Sequence, residues 1–270
     1  MNIQHIHSVF FSPTHTTQRI VQAITRGTGM PDVMEHDITM KEPAPEMDRL
    51  DQKDLLIVGL PVYAGRIPGL AIRRLKNLKG RQTPAVAVTV YGNRAYDDAL
   101  IELCDLCDSS SFKIIGAGAF IGQHSFSSLK NPIAHDRPDE KDIRLAETFG
   151  RQVRRLLQSS DPVKPLQLSM VPGSHSYRPG MNPSGAAGDS DPAQCIQCGQ
   201  CIEHCPAHAI RMENGAPETD PDNCIWCAAC VQNCPTGARQ ITQPKIGEIS
   251  ERLSASCRER REPEWFLASA

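Results

Sequence analysis

Eight of the eleven cysteines of this chain fall between Cys195 and Cys234. They form two runs: Cys195, Cys198, Cys201 and Cys205 before Pro206, then Cys224, Cys227, Cys230 and Cys234 before Pro235. Each run reads C-x2-C-x2-C-x3-C-P. Three thiolates this close can enclose one corner of a cubane iron–sulfur cluster, because each intervening dipeptide turns the next sulfur back to the same centre. The fourth is carried onward by a helical start and reaches the neighbouring cluster. The spacing therefore predicts one [4Fe–4S] cluster on Cys195, Cys198, Cys201 and Cys234, and a second on Cys224, Cys227, Cys230 and Cys205. A pair of four-thiolate zinc sites is the alternative, although such sites more often present two separated C-x2-C pairs. Ile196, Ile202, Ile225, Trp226 and Val231 would shield the centres from water. With four cysteines for each centre no coordination position is vacant, so the expected chemistry is one-electron transfer.

A second group of residues lies near the N-terminus. Four of the six residues from Ser12 to Thr17 carry a hydroxyl, and none carries a fixed positive charge. Such a loop entering a helix offers backbone N–H groups and hydroxyl donors to an anion. Without the Lys of a polyphosphate-binding loop it suits one terminal phosphate monoester. A plain Ser/Thr helix cap is the alternative. Further along come Pro61, Val62, Tyr63, Ala64 and Gly65, then Tyr91, Gly92, Asn93 and Tyr96, then His124. Tyr63 and Tyr91 could stack on a flat ring, Gly65 permits close backbone approach, and Asn93 could meet a pyrimidine edge. His124, with an ordinary pKa near neutrality, is a possible proton donor or a hydrogen-bonding loop residue. Cys104 and Cys107 form a further C-x2-C, but with Leu100 and Leu103 they fall at helical spacing and read as core. Arg66 and Arg94 read as surface charges that could balance an anion.

The remaining composition narrows the class. A net charge of −2 over 270 residues advertises neither nucleic acid nor an anionic membrane as a partner. No apolar stretch has the length of a membrane span, and no signal peptide is evident. Eleven cysteines, an odd and uneven set, argue for reduced thiolates rather than a disulfide framework. A cytoplasmic location is the expectation.

These residues must be held by regular elements. Strand-like apolar runs cover Ile3–Phe11, Asp54–Leu60, Thr83–Val90 and Phe112–Ile121, with Asp32–Asp37 as a short edge strand. Between them helical patterns cover Thr16–Arg26, Pro68–Leu78, Asp97–Asp108 and Asp139–Gln158. Five strands alternating with helices imply a doubly wound parallel α/β sheet, with ligands outside the C-terminal ends of its strands. All the loops named above follow strands. Residues 1–158 thus form the expected first domain. Residues 159–193, rich in Ser, Pro and Gly, read as a linker, 194–243 as the cysteine module, and 244–270 as a helical tail with Ile246, Ile249, Leu253 and Cys257 on one face.

The cysteine runs resemble bacterial-type two-cluster ferredoxins, over about 45 residues. The first domain, with its phosphate-type loop and aromatic strand-end loops, resembles the flavodoxin-like family, and the whole is similar to flavodoxin–ferredoxin fusion proteins. The resemblance implies a flavodoxin-like five-stranded sheet with a small α+β ferredoxin domain, and FMN beside two clusters. It places Ser12, Thr14, Thr16 and Thr17 at the FMN phosphate, Tyr63 and Gly65 beside the ring, and Tyr91, Gly92 and Asn93 at its far edge. The family usually carries Gly where this chain has His15, so a positive φ is expected to fall on a histidine. The implied role is an electron carrier serving redox partner proteins. An FMN enzyme acting on a quinone or similar small acceptor, or a redox sensor that has lost its flavin, are the competing readings.

Overall fold

A computed structural model describes residues 2–41, 47, 49–180 and 187–269. Its first part follows the expected alternation: β1 (His5–Phe10), α1 (Thr16–Thr28), β2 (Val33–Asp37), β3 (Asp54–Pro61), α2 (Gly69–Leu75), β4 (Thr83–Tyr91), α3 (Ala99–Ser109), β5 (Phe112–Ile121) and α4 (Glu140–Leu157). The parallel strands run in the order β5-β4-β3-β1-β2, reversing between β1 and β3. This is the doubly wound order that leaves a crevice beyond the carboxyl end of β1. Alternate residues of β3 enter opposite cores, Leu55 and Ile57 under α1 and α4, Leu56, Val58 and Leu60 under α2 and α3. Cys104 and Cys107 lie in the second core, where burial pushes both thiols up.

Helices α1 and α4 approach backbone to backbone. A methyl on Gly150 would stand 2.0 Å from the carbonyl oxygen of Ile24, and one on Gly27 would stand 2.2 Å from that of Glu147. Asp139 caps α4, accepting from the N–H groups of Lys141 and Asp142.

The cysteine module folds as two small antiparallel pairs, β6 (Asp189–Ser190) with β9 (Arg239–Gln240) and β7 (Ile210–Glu213) with β8 (Ala216–Thr219), plus the single-turn helices α5 (Gln200–Glu203) and α6 (Ala229–Gln232). Then comes α7 (Pro244–Ser256), with Pro in its first turn. The expected helical tail is incomplete as a description. Its last part is a strand, β10 (Glu264–Leu267), which pairs antiparallel with β5 and makes a six-stranded sheet of the expected five. The register sets Trp265 opposite Gly118 and Leu267 opposite Gly116. A methyl on Gly118 would lie 3.3 Å from Cβ of Trp265, so the small residues of β5 leave room for the bulky returning strand. The Trp265 ring stacks near Phe120 and donates from Nε1 to Gln152 at 2.8 Å.

Residues 159–180 are fastened along the first domain. Leu166 N–H donates to the Ile114 carbonyl at 2.7 Å, Tyr177 Oη donates to Asp105 at 2.5 Å, and Arg66 donates to the Arg178 carbonyl at 2.6 Å. Residues 181–186 of the expected linker lie outside the described residues.

The tail is bolted down by one amide. Asn93 Nδ2 donates to the carbonyls of Cys257 and Glu259, both at 2.8 Å, and its Oδ1 accepts from Arg261 N–H at 3.0 Å. Asn93→Ala removes all three bonds and is expected to cost roughly 1–3 kcal/mol in chemical denaturation. It should also speed hydrogen exchange in Glu264–Leu267. Unchanged exchange there would show that Asn93 does not hold the tail.

Candidate functional site

The loops after β1, β3, β4 and β5 converge on a cavity of about 330 Å³. The first begins with Ser12, whose Oγ accepts from Gln18 N–H at 3.0 Å and whose carbonyl accepts from His15 N–H at 3.2 Å. His15 takes the left-handed conformation, φ 61°, immediately before α1. Its ring turns outward to Gln18, so its contribution is backbone shape, and it does not line the cavity. Thr14, Thr16 and Thr17 do line it. Thr17 Oγ1 is buried without a hydrogen-bond partner, and the N–H groups of Thr16 and Thr17 have no acceptor among the described residues. Unmet donors at a helix N-terminus are the expected form of an anion cradle.

Tyr63 is presented by a tight turn. Its N–H and carbonyl exchange bonds with Arg66 at 2.9 and 3.1 Å, while Ala64 and Gly65 have φ 52° and 82°. Positive φ at both central residues is the mirror-image turn that favours glycine. A methyl on Gly65 would meet Asp97 Oδ2 at 2.3 Å. Arg66 is held by Glu102 at 2.5 Å, and Arg94 and Arg178 both pair with Asp97 at the cavity edge. The Tyr63 phenol is pushed well above its ordinary value, by burial first and by the neighbouring Cys227 thiol second.

Tyr91 and Gly92 border the cavity, but two expected neighbours do not. Asn93 is 4% exposed and spends its amide on the C-terminal segment rather than on a ring edge. Tyr96 donates to Glu264 at 3.0 Å and packs edge-on against Tyr91. Both placements have one cause, the returning tail, which occupies that side of the β4 loop. His124 packs over Gly92, where a methyl would stand 2.4 Å from the imidazole Cδ2. Its Nδ1 accepts from Phe126 N–H at 3.0 Å, so the neutral ring carries its proton on Nε2. Burial, and then the Arg94 charge, push its pKa down to about 4. Near neutrality it is therefore a hydrogen-bond donor, not a source of protons.

The cavity also has walls from outside the first domain: Ile225 and Trp226 from the second cysteine run, and Ile249, Arg252 and Leu253 from α7. Ile249 and Leu253 lie on the apolar face legible in the sequence, but what that face would cover was not. Trp226 contacts Phe126, ring centroids 6.4 Å apart. The module is further tied by Arg74, whose buried guanidinium donates to the Pro206 carbonyl at 2.6 Å.

The structure brings Cys195, Cys198, Cys201 and Cys234 around one hollow, and Cys205, Cys224, Cys227 and Cys230 around a second. The two runs share a backbone pattern. Gln197 and Gly199 flank Cys198 with φ 56° and 77°, and Trp226 and Ala228 flank Cys227 with φ 56° and 61°. These left-handed residues curl each run inward and line up its N–H groups as an anion-binding nest. Ala209 N–H lies 3.3 Å from Cys205 Sγ, and Arg239 N–H 3.4 Å from Cys234 Sγ.

Residues 194–238 match the family of 4Fe-4S dicluster domains. Two [4Fe–4S] clusters are thereby indicated, and electron transfer with them. No curated protein matches the chain. Among solved structures, a flavodoxin from the domain Archaea is 12% identical with a TM-score of 0.43, covering 57% of this chain and 99% of its own. The flavodoxin of Streptococcus pneumonia TIGR4 is 16% identical, TM-score 0.41, covering 56% and 97%. A WrbA-like flavodoxin from Agrobacterium tumefaciens is 15% identical, TM-score 0.39, covering 57% and 96%. The fold assignment rests on the strand order above. Among the described residues no helix is long and apolar enough to cross a membrane.

The depressed pKa of His124 has a testable consequence. As pH falls below 6.5, the ordinary value, the unfolded chain takes up a proton that the folded ring refuses until about 4. The stability tied to the neutral ring is complete above that window and erodes through it. His124→Gln should flatten the stability–pH curve between about 6.5 and 4 relative to the parent. Parallel curves would place the ring in a solvated, ordinary environment.

Proposed function

We propose that this chain is an electron-transfer flavo-iron–sulfur protein, with FMN in the strand-end cavity and two [4Fe–4S] clusters in the cysteine module. The observation that carries the reading is the position of Trp226. It belongs to the Cys224–Cys227 turn and lines the same cavity as Thr14 and Thr17. Ligands of one cluster are thus covalently attached to the cavity wall.

The residues present fit the flavin. Thr17 Oγ1 and the N–H groups of Thr16 and Thr17, which have no hydrogen-bond partner among the described residues, suit a phosphate monoester. Ser12, Thr14, Thr16 and Thr17 would hold that end. Pro61 to Gly65, with Tyr63, would flank the ring, and Tyr91 and Gly92 would border it. The cavity volume of about 330 Å³ lies within the usual range for ligand clefts, about 300–1,000 Å³. When bound, FMN exchanges one or two electrons, whereas each cluster exchanges one.

The chain's own side chains define what this site does. Cys205, Cys224, Cys227 and Cys230 would hold the inner cluster, next to Tyr63 and Trp226. Cys195, Cys198, Cys201 and Cys234 would hold the outer one, where Cys198 is exposed and Ile196 is 64% exposed. That outer edge is the port to redox partner proteins. Trp226, Ile225, Ile249 and Leu253, all half-buried, form the cavity wall that faces the cysteine module and α7. A cavity wall shared with the cysteine module supports an electron carrier, with an enzyme that reduces a quinone or similar acceptor at the flavin as the competing reading.

Anaerobically purified protein should hold about eight iron, eight sulfide and one FMN. Thr17→Val and Tyr63→Ala should retain the iron and lose flavin absorbance; full flavin occupancy in both would contradict the assigned cavity. The parent should turn over soluble quinones slowly, and Trp226→Ala should turn them over faster by opening the cavity. Rapid quinone turnover by the parent would favour an enzyme instead.

A further inference from the structure

Arg239 follows the second cysteine run by five residues and is 2% exposed. Its Nη1 donates to Ser190 Oγ at 2.8 Å and to the Pro217 carbonyl at 3.1 Å. Its Nη2 donates to the Gly188 carbonyl at 2.8 Å and to Thr219 Oγ1 at 2.5 Å. Every one of these acceptors is neutral. Among the described residues Arg239 forms no ion pair, which is a costly state for a guanidinium removed from water. Arg137, another buried arginine, faces the carboxylate of Asp142.

Two further features point to the missing anion. Nε of Arg239 is buried with no partner, and the residue lines the hollow enclosed by Cys195, Cys198, Cys201 and Cys234. On the other side, Nη2 lies 3.9 Å from Sγ of Cys230, a residue of the second hollow. Gly188 makes that approach possible, since a methyl there would meet Arg239 Nη2 at 2.8 Å and Cys230 Sγ at 3.3 Å. One guanidinium therefore reaches towards both hollows, held by four neutral acceptors that leave its charge uncompensated.

We propose that Arg239 is the shared counter-cation of the two clusters, directing Nε–H towards the outer centre and Nη2–H towards the inner one. This rests on the two-cluster reading of the eight cysteines. A cubane bound by four thiolates carries net negative charge that grows on reduction. A fixed buried cation between two such centres stabilises the reduced form of each and raises both potentials. It also lessens the repulsion between two reduced centres, so that both can hold an electron at once.

The test is spectroscopic potentiometry of the whole holoprotein, parent against Arg239→Gln and Arg239→Lys, with iron and sulfide counted in each. Both cluster couples should shift to lower potential in Arg239→Gln, and by less in Arg239→Lys, which keeps the charge but not the fork. Iron-replete Arg239→Gln with unmoved couples would overturn the proposal. If that variant loses iron, parent protein labelled with 15N-arginine decides the matter. Pulsed EPR of the reduced clusters should detect guanidinium nitrogen coupled to both, and coupling to neither would overturn it. A parent lacking the eight irons would fail the two-cluster reading itself, a separate result from full clusters with unmoved potentials.

Discussion

Four residues of strand, Glu264–Leu267, determine where the preceding hundred can lie. By pairing antiparallel with β5, β10 returns the chain to the sheet it left at the end of α4. The outgoing segment is fastened too, through Leu166, Tyr177 and Arg178. A module attached at both ends to one sheet has little conformational freedom left, and the Arg74–Pro206 bond adds a third attachment. The second cysteine run is thereby held over the carboxyl ends of the parallel strands, the place where an open α/β sheet binds its ligand.

The details of the sheet and of the cysteine module accommodate this closure. β5 carries Gly116, Ala117, Gly118 and Ala119 opposite the four residues of β10, so the bulky side chains of the tail meet small ones. Asn93, at the end of β4, gives up the cavity in order to hold residues 257–261. The second cysteine run places Trp226 and Ala228 in left-handed backbone where the first has Gln197 and Gly199. A bulky residue in that region is costly. Trp226 borders the second cysteine hollow and also lines the strand-end cavity.

Much of this was legible in the sequence. The parallel strands announce themselves as apolar runs because both faces of the sheet are covered, and the cysteine quartets follow from spacing alone. The left-handed turn at His15 was implied by the resemblance to flavodoxin-like loops, which usually carry Gly at that place. β10 was hidden because a four-residue edge strand beside Arg258, Arg260 and Arg261 has neither the length nor the periodicity to stand out. Its trace is in the partner strand, in the glycines and alanines of residues 116–119. The roles of Asn93, Tyr96, Trp226 and Arg239 were out of reach for a single physical reason. Each depends on a contact across a large sequence separation, set for Asn93, Tyr96 and Trp226 by how the chain folds back and for Arg239 by packing within the module, and no local pattern encodes that. Arg239 lies five residues beyond the last cysteine of the run, where nothing local marks it.

In the proposed arrangement cluster and flavin sit on one chain, with Trp226 bordering both sites. Laser-flash reduction of the anaerobic holoprotein, followed at cluster and flavin wavelengths, tests it most directly. Redistribution of the electron between the two should be first order, with a rate independent of protein concentration and of solvent viscosity. A rate that rises with concentration, or falls in proportion to added viscogen, would mean that the module must swing or meet a second molecule, and would contradict the docked arrangement.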